Sequence, residues 1–371
     1  MRVFLSPPVM NGDVERHLVA EAFDSNYIAP CGPMVDLFER EAAACFGVRQ
    51  ALATSSGTAA LELLARALEI RPGDKIIVSD LTFIGSIAAF CTLGAEPIFV
   101  DSDPATWCMD AGLLAEALKQ YPTAKAVIAT DLYGQCCDMD ALAQLCNAAG
   151  VKFIVDAAES VGATYRGRAS GTGVWAAVYS FNGNKIITTG GGGMLLSDDE
   201  ALMAHCRKLS AQAREPFPWY EHQYVGANAR LGNVPAAIGV GQLRHLTDAL
   251  REKAAVWDAW MARFESRPWI HPMPTAPYGV PNRWLTVVTF EGVDPFKAVE
   301  VLAAQGIEAR PLWKPMSLQP VFSGCKAFLS GVDNALFRTG ICLPSGRNLT
   351  TETMDEVMGI LDALHAENVV K

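Results

Sequence analysis

Three short segments hold side chains that could do chemistry together. Lys185 closes the run Tyr179-Ser180-Phe181-Asn182-Gly183-Asn184-Lys185, and after Ile186-Ile187-Thr188-Thr189 come four glycines, 190–193. Glycine lets backbone or a flat ligand approach closely. A lysine held in a crowded, partly desolvated turn loses proton affinity and becomes a usable amine nucleophile. Asp156 stands 29 residues earlier, at the end of the apolar run 152–155 and before the small residues Ala157 and Ala158. A carboxylate there can meet a protonated ring nitrogen. Thr54-Ser55-Ser56-Gly57-Thr58 follows another apolar run and opens a helix-period segment, so its N–H groups and hydroxyls suit a phosphate. Each segment has a plainer reading: a surface lysine, an Asp that caps a helix, a Ser55 or Ser56 that caps another. Jointly they are the parts that pyridoxal phosphate needs. The lysine forms the Schiff base, the acid keeps the pyridine nitrogen protonated, and amides with hydroxyls such as Ser180 bind the 5′-phosphate.

These residues need a scaffold that brings three loops to one place. Short β-rich apolar runs recur at 51–54, 75–78, 97–100, 126–129, 152–155, 177–180 and 193–196, and several are apolar throughout. Strands buried on both faces have that character. Helix-period segments at 59–68, 111–118 and 139–148 separate them, so the expected architecture is α/β with a mostly parallel sheet. All three loops fall just after candidate strands, where open α/β sheets bind their ligands. A long helix is expected over 234–264, ending near Pro268, Pro272, Pro274 and Pro277. Beyond it come a strand at 284–290, a helix at 295–305, a short strand at 307–310 and a closing helix at 351–365. The division expected is a large cofactor-binding domain, 1–245, and a smaller C-terminal α+β domain, 246–371.

Composition agrees with two units: 371 residues, half of them hydrophobic and 19% charged, exceed what one core usually serves. Thirty basic against 40 acidic side chains give −10, with no Lys/Arg run, which argues against nucleic acid or an anionic membrane as a partner. Ten cysteines show no C-x-x-C pair, so free thiols in a reducing cytosol are expected. The first residues reach prolines 7 and 8 before any signal-type apolar region, and no apolar run approaches the roughly 18 residues of a membrane span. A cytoplasmic protein is the expectation. The six histidines are scattered without H-E-x-x-H, and no metal site is expected.

Ser56-Gly57-Thr58, Asp156-Ala157-Ala158-Glu159, Ser180-Phe181-x-x-x-Lys185, the glycines 190–193 and Gly226-x-Asn228-x-Arg230 resemble, in order and spacing, the sugar-nucleotide aminotransferases of the DegT/StrS family. The resemblance runs from Ser6-Pro7-Pro8 to the last helix. It implies a fold-type I pyridoxal phosphate-dependent transferase that works as a homodimer with active sites shared between subunits. Asn26-Tyr27-Ile28-Ala29-Pro30, residues 181–185 and Arg310-Pro311-Leu312-Trp313-Lys314-Pro315-Met316 look like the C4 aminotransferases that make UDP-4-amino-4,6-dideoxy-N-acetylglucosamine, the bacillosamine precursor. Tyr27 stands where that subgroup usually has Trp, and Cys31 where it usually has Leu. Glu159 replaces the wider family's usual Gln, as it does in the subgroup.

The resemblance assigns roles position by position. Lys185 is the Schiff-base lysine, Asp156 the pyridinium partner, Phe83 the ring stacked on the cofactor, and Glu159 a neighbour of its phenolic oxygen. Gly57, Thr58, Ser180 and, from the partner subunit, Asn228 hold the phosphate. Arg230 meets a sugar-nucleotide phosphate, and Asn26, Tyr27, Trp313 and Lys314 contact substrate. The donor implied is L-glutamate, leaving as 2-oxoglutarate, and the acceptor a UDP-linked keto sugar; dTDP- or GDP-linked sugars and a non-catalytic regulatory relative are the alternatives. A nicotinamide dehydrogenase, prompted by Gly171-x-Gly173-x-x-Ala176, is disfavoured because that motif precedes a strand instead of following one. A lysine at 185 also argues against the related sugar 3-dehydratases, which carry His there.

Overall fold

In the computed structural model, which describes residues 1–369, the apolar runs become strands β1 (Gln50–Thr54), β2 (Lys75–Ser79), β3 (Glu96–Val100), β4 (Ala126–Thr130) and β5 (Lys152–Asp156). After a small ribbon, β6 (Thr164–Tyr165) and β7 (Arg168–Ala169), come β8 (Ala176–Ser180) and β9 (Gly193–Ser197). Helices α1 (Asp13–Asp24) and α2 (Pro33–Phe46) precede the first strand. Helices α3 (Gly57–Ala67), α4 (Gly85–Thr92), α5 (Ala111–Gln120) and α6 (Met139–Ala149) alternate with the strands, and α7 (Glu200–Ser210) follows β9.

The strands are apolar along their whole length because neighbouring residues enter different cores. Ile77, Val127, Val155 and Ala177 pack with Phe38, Leu114 and Leu142 on one side of the sheet. Ile76, Val78, Ile154 and Val178 pack with Leu61, Leu64, Phe90 and Met203 on the other. Among β1 to β5, β8 and β9, only β9 runs against the rest, pairing antiparallel with β1 and β8. The expected α/β class and mostly parallel sheet are what the chain forms.

The single helix expected over 234–264 is two, α8 (Asn233–Arg244) and α9 (Leu246–Phe264), with His245 between them at φ −100° and ψ 10°. The reason is a change of partner. α8 packs on α1 and α2, whereas α9 carries Val256, Trp260 and Phe264 into a separate core. That core lies under the sheet of β10 (Ile270–Pro272), β12 (Thr286–Phe290), β13 (Arg310–Pro311) and β15 (Gly340–Leu343), in which β12 and β15 are central. α10 (Pro295–Ala304) and α12 (Thr351–Val369) cover it. The strand expected at 307–310 pairs only at Arg310–Pro311, while Ile307 bridges to Val3. The chain beyond α9 also returns to the large sheet. β14 (Lys326–Phe328), which precedes α11 (Val332–Thr339), adds to β3 in parallel and makes the large sheet eight-stranded in the order β1-β9-β8-β5-β4-β2-β3-β14. β11 (Gly279–Val280) pairs with β6. No described helix is long and apolar enough to cross a membrane.

Candidate active site

The carboxyl ends of β1, β4, β5 and β8 open on a cavity of about 1190 Å³ that residues of the later segment 284–342 also line. Asp156 is the last residue of β5, and the turn after it brings Glu159 to the same wall. β8 ends at Ser180, and the loop beyond it carries Lys185 back across the opening. α3 starts at the cavity floor. Ser56 caps it by accepting from the Ala59 N–H at 3.0 Å, so the capping reading of that loop holds. Gly57 and Thr58, whose N–H groups fall in the first turn where a helix has no acceptors of its own, line the same cavity. Gly193 explains part of the glycine run. It stands opposite both Thr54 and Ser180, and a Cβ there would lie 2.3 Å from the Gly57 nitrogen.

Burial sets the electrostatics. Asp156 Oδ2 accepts from the Ser86 hydroxyl and Oδ1 from the Ala158 N–H at 3.1 Å. Burial pushes this carboxyl above its usual range, against the pull of those two bonds and of Lys185. A cation meeting its cavity edge would restore the carboxylate, and a protonated ring nitrogen is such a cation. Glu159 accepts from the Tyr133 N–H at 2.8 Å and from Lys185 Nζ at 3.3 Å, and burial pushes it up to about 7 despite the lysine. Phe83 is 61% exposed, which rules out the reading of that ring as plain core. Its ring centre lies 6.0 Å from that of Trp313, which with Lys314 lines the outer part of the cavity. One exposed ring, one buried acid, one amine and a helix N-terminus around a single cavity fit pyridoxal phosphate.

Asn26, Tyr27, Asn228 and Arg230 lie elsewhere. None lines this cavity. Asn26 and Tyr27 are exposed ahead of α2, Asn26 with a φ of 57°. Asn228 is exposed and bridges Ala211, while the Arg230 backbone bridges Thr54. The dinucleotide-type glycines form no helix: Gly171 and Gly173 take φ of +69° and +80° in a turn leading into β8.

A sequence model of the DegT/DnrJ/EryC1/StrS aminotransferase family matches residues 10–362. The chain belongs to this family. Among its relatives is EpsN of Bacillus subtilis, named as a pyridoxal phosphate-dependent aminotransferase, 43% identical over 100% of this chain and 97% of its own length. GDP-perosamine synthase of Caulobacter vibrioides is 38% identical over 97% of this chain and 98% of its own. The crystal structure of the aminotransferase TlmJ from Streptoalloteichus hindustanus superposes with a TM-score of 0.92 at 28% identity, covering 98% of this chain and 99% of that one. As a member of the family the protein is a sugar-nucleotide aminotransferase that uses pyridoxal phosphate.

Several residues around the family's cavity carry no signal in the sequence. Trp284 was expected only as the start of a strand, yet β12 begins at Thr286 and Trp284 lines the cavity. Tyr133 sits buried with a φ of 49°, its N–H on Glu159 and its hydroxyl accepting from the Trp313 N–H at 3.0 Å. It ties the acid of one loop to the aromatic wall of another. A left-handed non-glycine residue beside a site is a sign that could be sought in a structure, not in a sequence.

Proposed function

We propose that the protein moves the amino group of L-glutamate to the C4 keto group of UDP-2-acetamido-2,6-dideoxy-4-keto-hexose, releasing 2-oxoglutarate. The observation that carries this reading is the single cavity shared by the Lys185 amine, the Asp156 carboxyl and the opening N–H groups of α3. The UDP sugar is supported by residues 26–30, 181–185 and 310–316, which resemble the bacillosamine-pathway enzymes. Bound pyridoxal phosphate supplies an electron sink for the carbanion left when a proton is lost. Lys185 Nζ would bond the cofactor at rest and, once released, would take a proton from the glutamate Cα in one half-reaction and deliver one to the sugar C4 in the other, as general base and acid. Asp156 would hold the ring-nitrogen proton, Glu159 would neighbour the phenolic oxygen and Phe83 would stack on the ring. The Gly57 and Thr58 amides with the Ser180 hydroxyl hold the phosphate, and Trp313 and Lys314 face the sugar nucleotide.

Asn26, Tyr27, Asn228 and Arg230 complete the partner subunit's cavity in a homodimer, a placement supported by their lying outside their own chain's cavity. Mixing Lys185→Ala with Asn228→Ala subunits then restores activity, to about a quarter of wild type if exchange is random and each hybrid keeps one intact site. No recovery on exchange removes the shared site.

The test of the substrate is the visible absorption of the holoenzyme on adding L-glutamate and then a keto sugar. The expected result is loss of the resting band with glutamate and its return with the UDP-4-keto-6-deoxy-N-acetylhexosamine. A second reading, a GDP-linked 4-keto-6-deoxy sugar, is favoured by the 38% identity to GDP-perosamine synthase. Return of the band with the GDP sugar and not the UDP sugar selects it.

A further inference from the structure

The Lys185 amine rests between two walls. Its Nζ lies 3.3 Å from Glu159 Oε1 and 3.9 Å from the centre of the Trp284 ring. Glu159 follows a strand of the large sheet, whereas Trp284 arrives from the segment ahead of β12, 125 residues further along the chain. Trp284 is held at three points. Its indole Nε1–H donates to the Asn184 carbonyl at 2.6 Å, its backbone N–H to Asn282 Oδ1 at 2.8 Å, and its backbone carbonyl accepts from Lys253 Nζ at 2.9 Å.

Two further links join this ring to the opposite wall and to the lysine's turn. Asn282 Nδ2 donates to the Glu159 carbonyl at 2.7 Å and to the Val161 carbonyl at 2.9 Å, so one amide pins both walls of the seat. The close approach is built into the backbone: Gly134, at φ +101°, would place a Cβ 2.0 Å from Asn282 Oδ1. The Ser6 hydroxyl donates to the same Asn184 carbonyl at 3.0 Å and accepts from Lys253 at 3.1 Å. The carbonyl immediately before Lys185 therefore accepts twice, and the turn that carries the amine has little freedom to swing. A ring face attracts an ammonium through its quadrupole, and more strongly where water is excluded. The charged groups facing the amine are Glu159 and Asp156 on its own wall; Glu308, Arg310 and Lys314 line the far side of the cavity.

We propose that Trp284 is a positioning residue for the Lys185 amine, its ring face being the seat the amine occupies when not bonded to the cofactor, with Asn282 and Lys253 holding that seat against Glu159 and the Asn184 carbonyl. The inference rests on the chemical role assigned to Lys185 above. It places a residue ahead of β12 in control of a group carried by the loop between β8 and β9.

The test uses the full-length enzyme loaded with pyridoxal phosphate and the variants Trp284→Leu, Trp284→Phe and Lys185→Ala. Two readouts are taken: the induced circular dichroism of the bound cofactor's visible band, and the kinetics with L-glutamate. Trp284→Leu is expected to bind cofactor with a weakened or inverted dichroic band. Its kcat falls about 10- to 100-fold, the loss that a displacement of roughly 1 Å brings, while KM stays within about twofold. Trp284→Phe keeps a ring face and recovers kcat to within about fivefold of wild type. A Trp284→Leu enzyme with the native band and native kcat overturns the proposal, and so does a Trp284→Phe enzyme as impaired as the Leu variant. If Leu prevents folding, Trp284→Met takes its place under the same criteria. Lys185→Ala separates the two readings: turnover by that variant removes the lysine from the chemistry and the seat with it. An inactive Lys185→Ala beside a native-like Trp284→Leu overturns the seat alone.

Discussion

Lys185 and Lys253 are both withdrawn from water, and both meet Trp284, Lys185 at its ring face and Lys253 at its backbone carbonyl. Lys185 retains 13% of its side-chain exposure, enough to line the cavity, and its near neighbours are a carboxylate and a ring face. Lys253 is 2% exposed and donates to three neutral oxygens: Ser6 Oγ at 3.1 Å, the Trp284 carbonyl at 2.9 Å and the Ser345 carbonyl at 2.6 Å. Burial, with help from Arg347, pulls Lys253 down to about 7. With Lys185 as the proposed reactive amine, burial and a perturbed affinity for protons are poor guides to which amine reacts. An amine with every N–H matched to a fixed oxygen and no open side is a joint between segments. An amine with one side on a cavity and an acid beside it is free to bond and to exchange protons.

The sharpest way to break that contrast is to remove each amine in turn. Lys185→Ala is expected to lose at least about 10³-fold in transamination. Its stability in denaturant changes by no more than about 1 kcal/mol, since it removes no joint. Lys253→Met is expected to show the reverse. Two buried carbonyls and a hydroxyl lose their donor, which costs about 3 kcal/mol of stability in urea melts. Its kcat falls by less than about tenfold, through loosening of Trp284 alone. A folded Lys253→Met enzyme as inactive as Lys185→Ala would erase the distinction.

Smaller effects come from pH. Between about 7 and 10.5 folded Lys253 has shed a proton that the unfolded chain keeps, so wild-type stability rises with pH across that window; Lys253→Met lacks this rise. Glu159 works in the opposite direction. Between 4.5 and about 7 the folded chain keeps a proton that the unfolded chain has lost, so this carboxyl lowers stability as pH rises. Glu159→Gln removes that fall and flattens the profile, the smallest of these changes. Urea midpoints collected across both windows for wild type and the two variants check both signs.

The residues proposed to do chemistry were readable because their types are rare in their settings. Asp156 ends an apolar strand and Lys185 sits among small residues, and seven buried strands announced themselves because both faces must be apolar. Ser56 shows the weakness of single signals: it is the helix cap that the cautious reading proposed, while the neighbouring Gly57 and Thr58 amides face the cavity. The helix over 234–264 misled because its apolar stripe is continuous although its halves bury against different partners.

Local pattern thus settled the strands, the loops at their carboxyl ends and the family, since each depends on residue types a few positions apart. Folding decided where Lys253, Trp284, Asn282 and Ser6 act, and that β14 extends the first sheet from the far end of the chain. The physical reason is common to all of them. Their partners are chiefly backbone carbonyls and N–H groups, which nearly every residue carries, so no residue type in the sequence marks where such a bond will form.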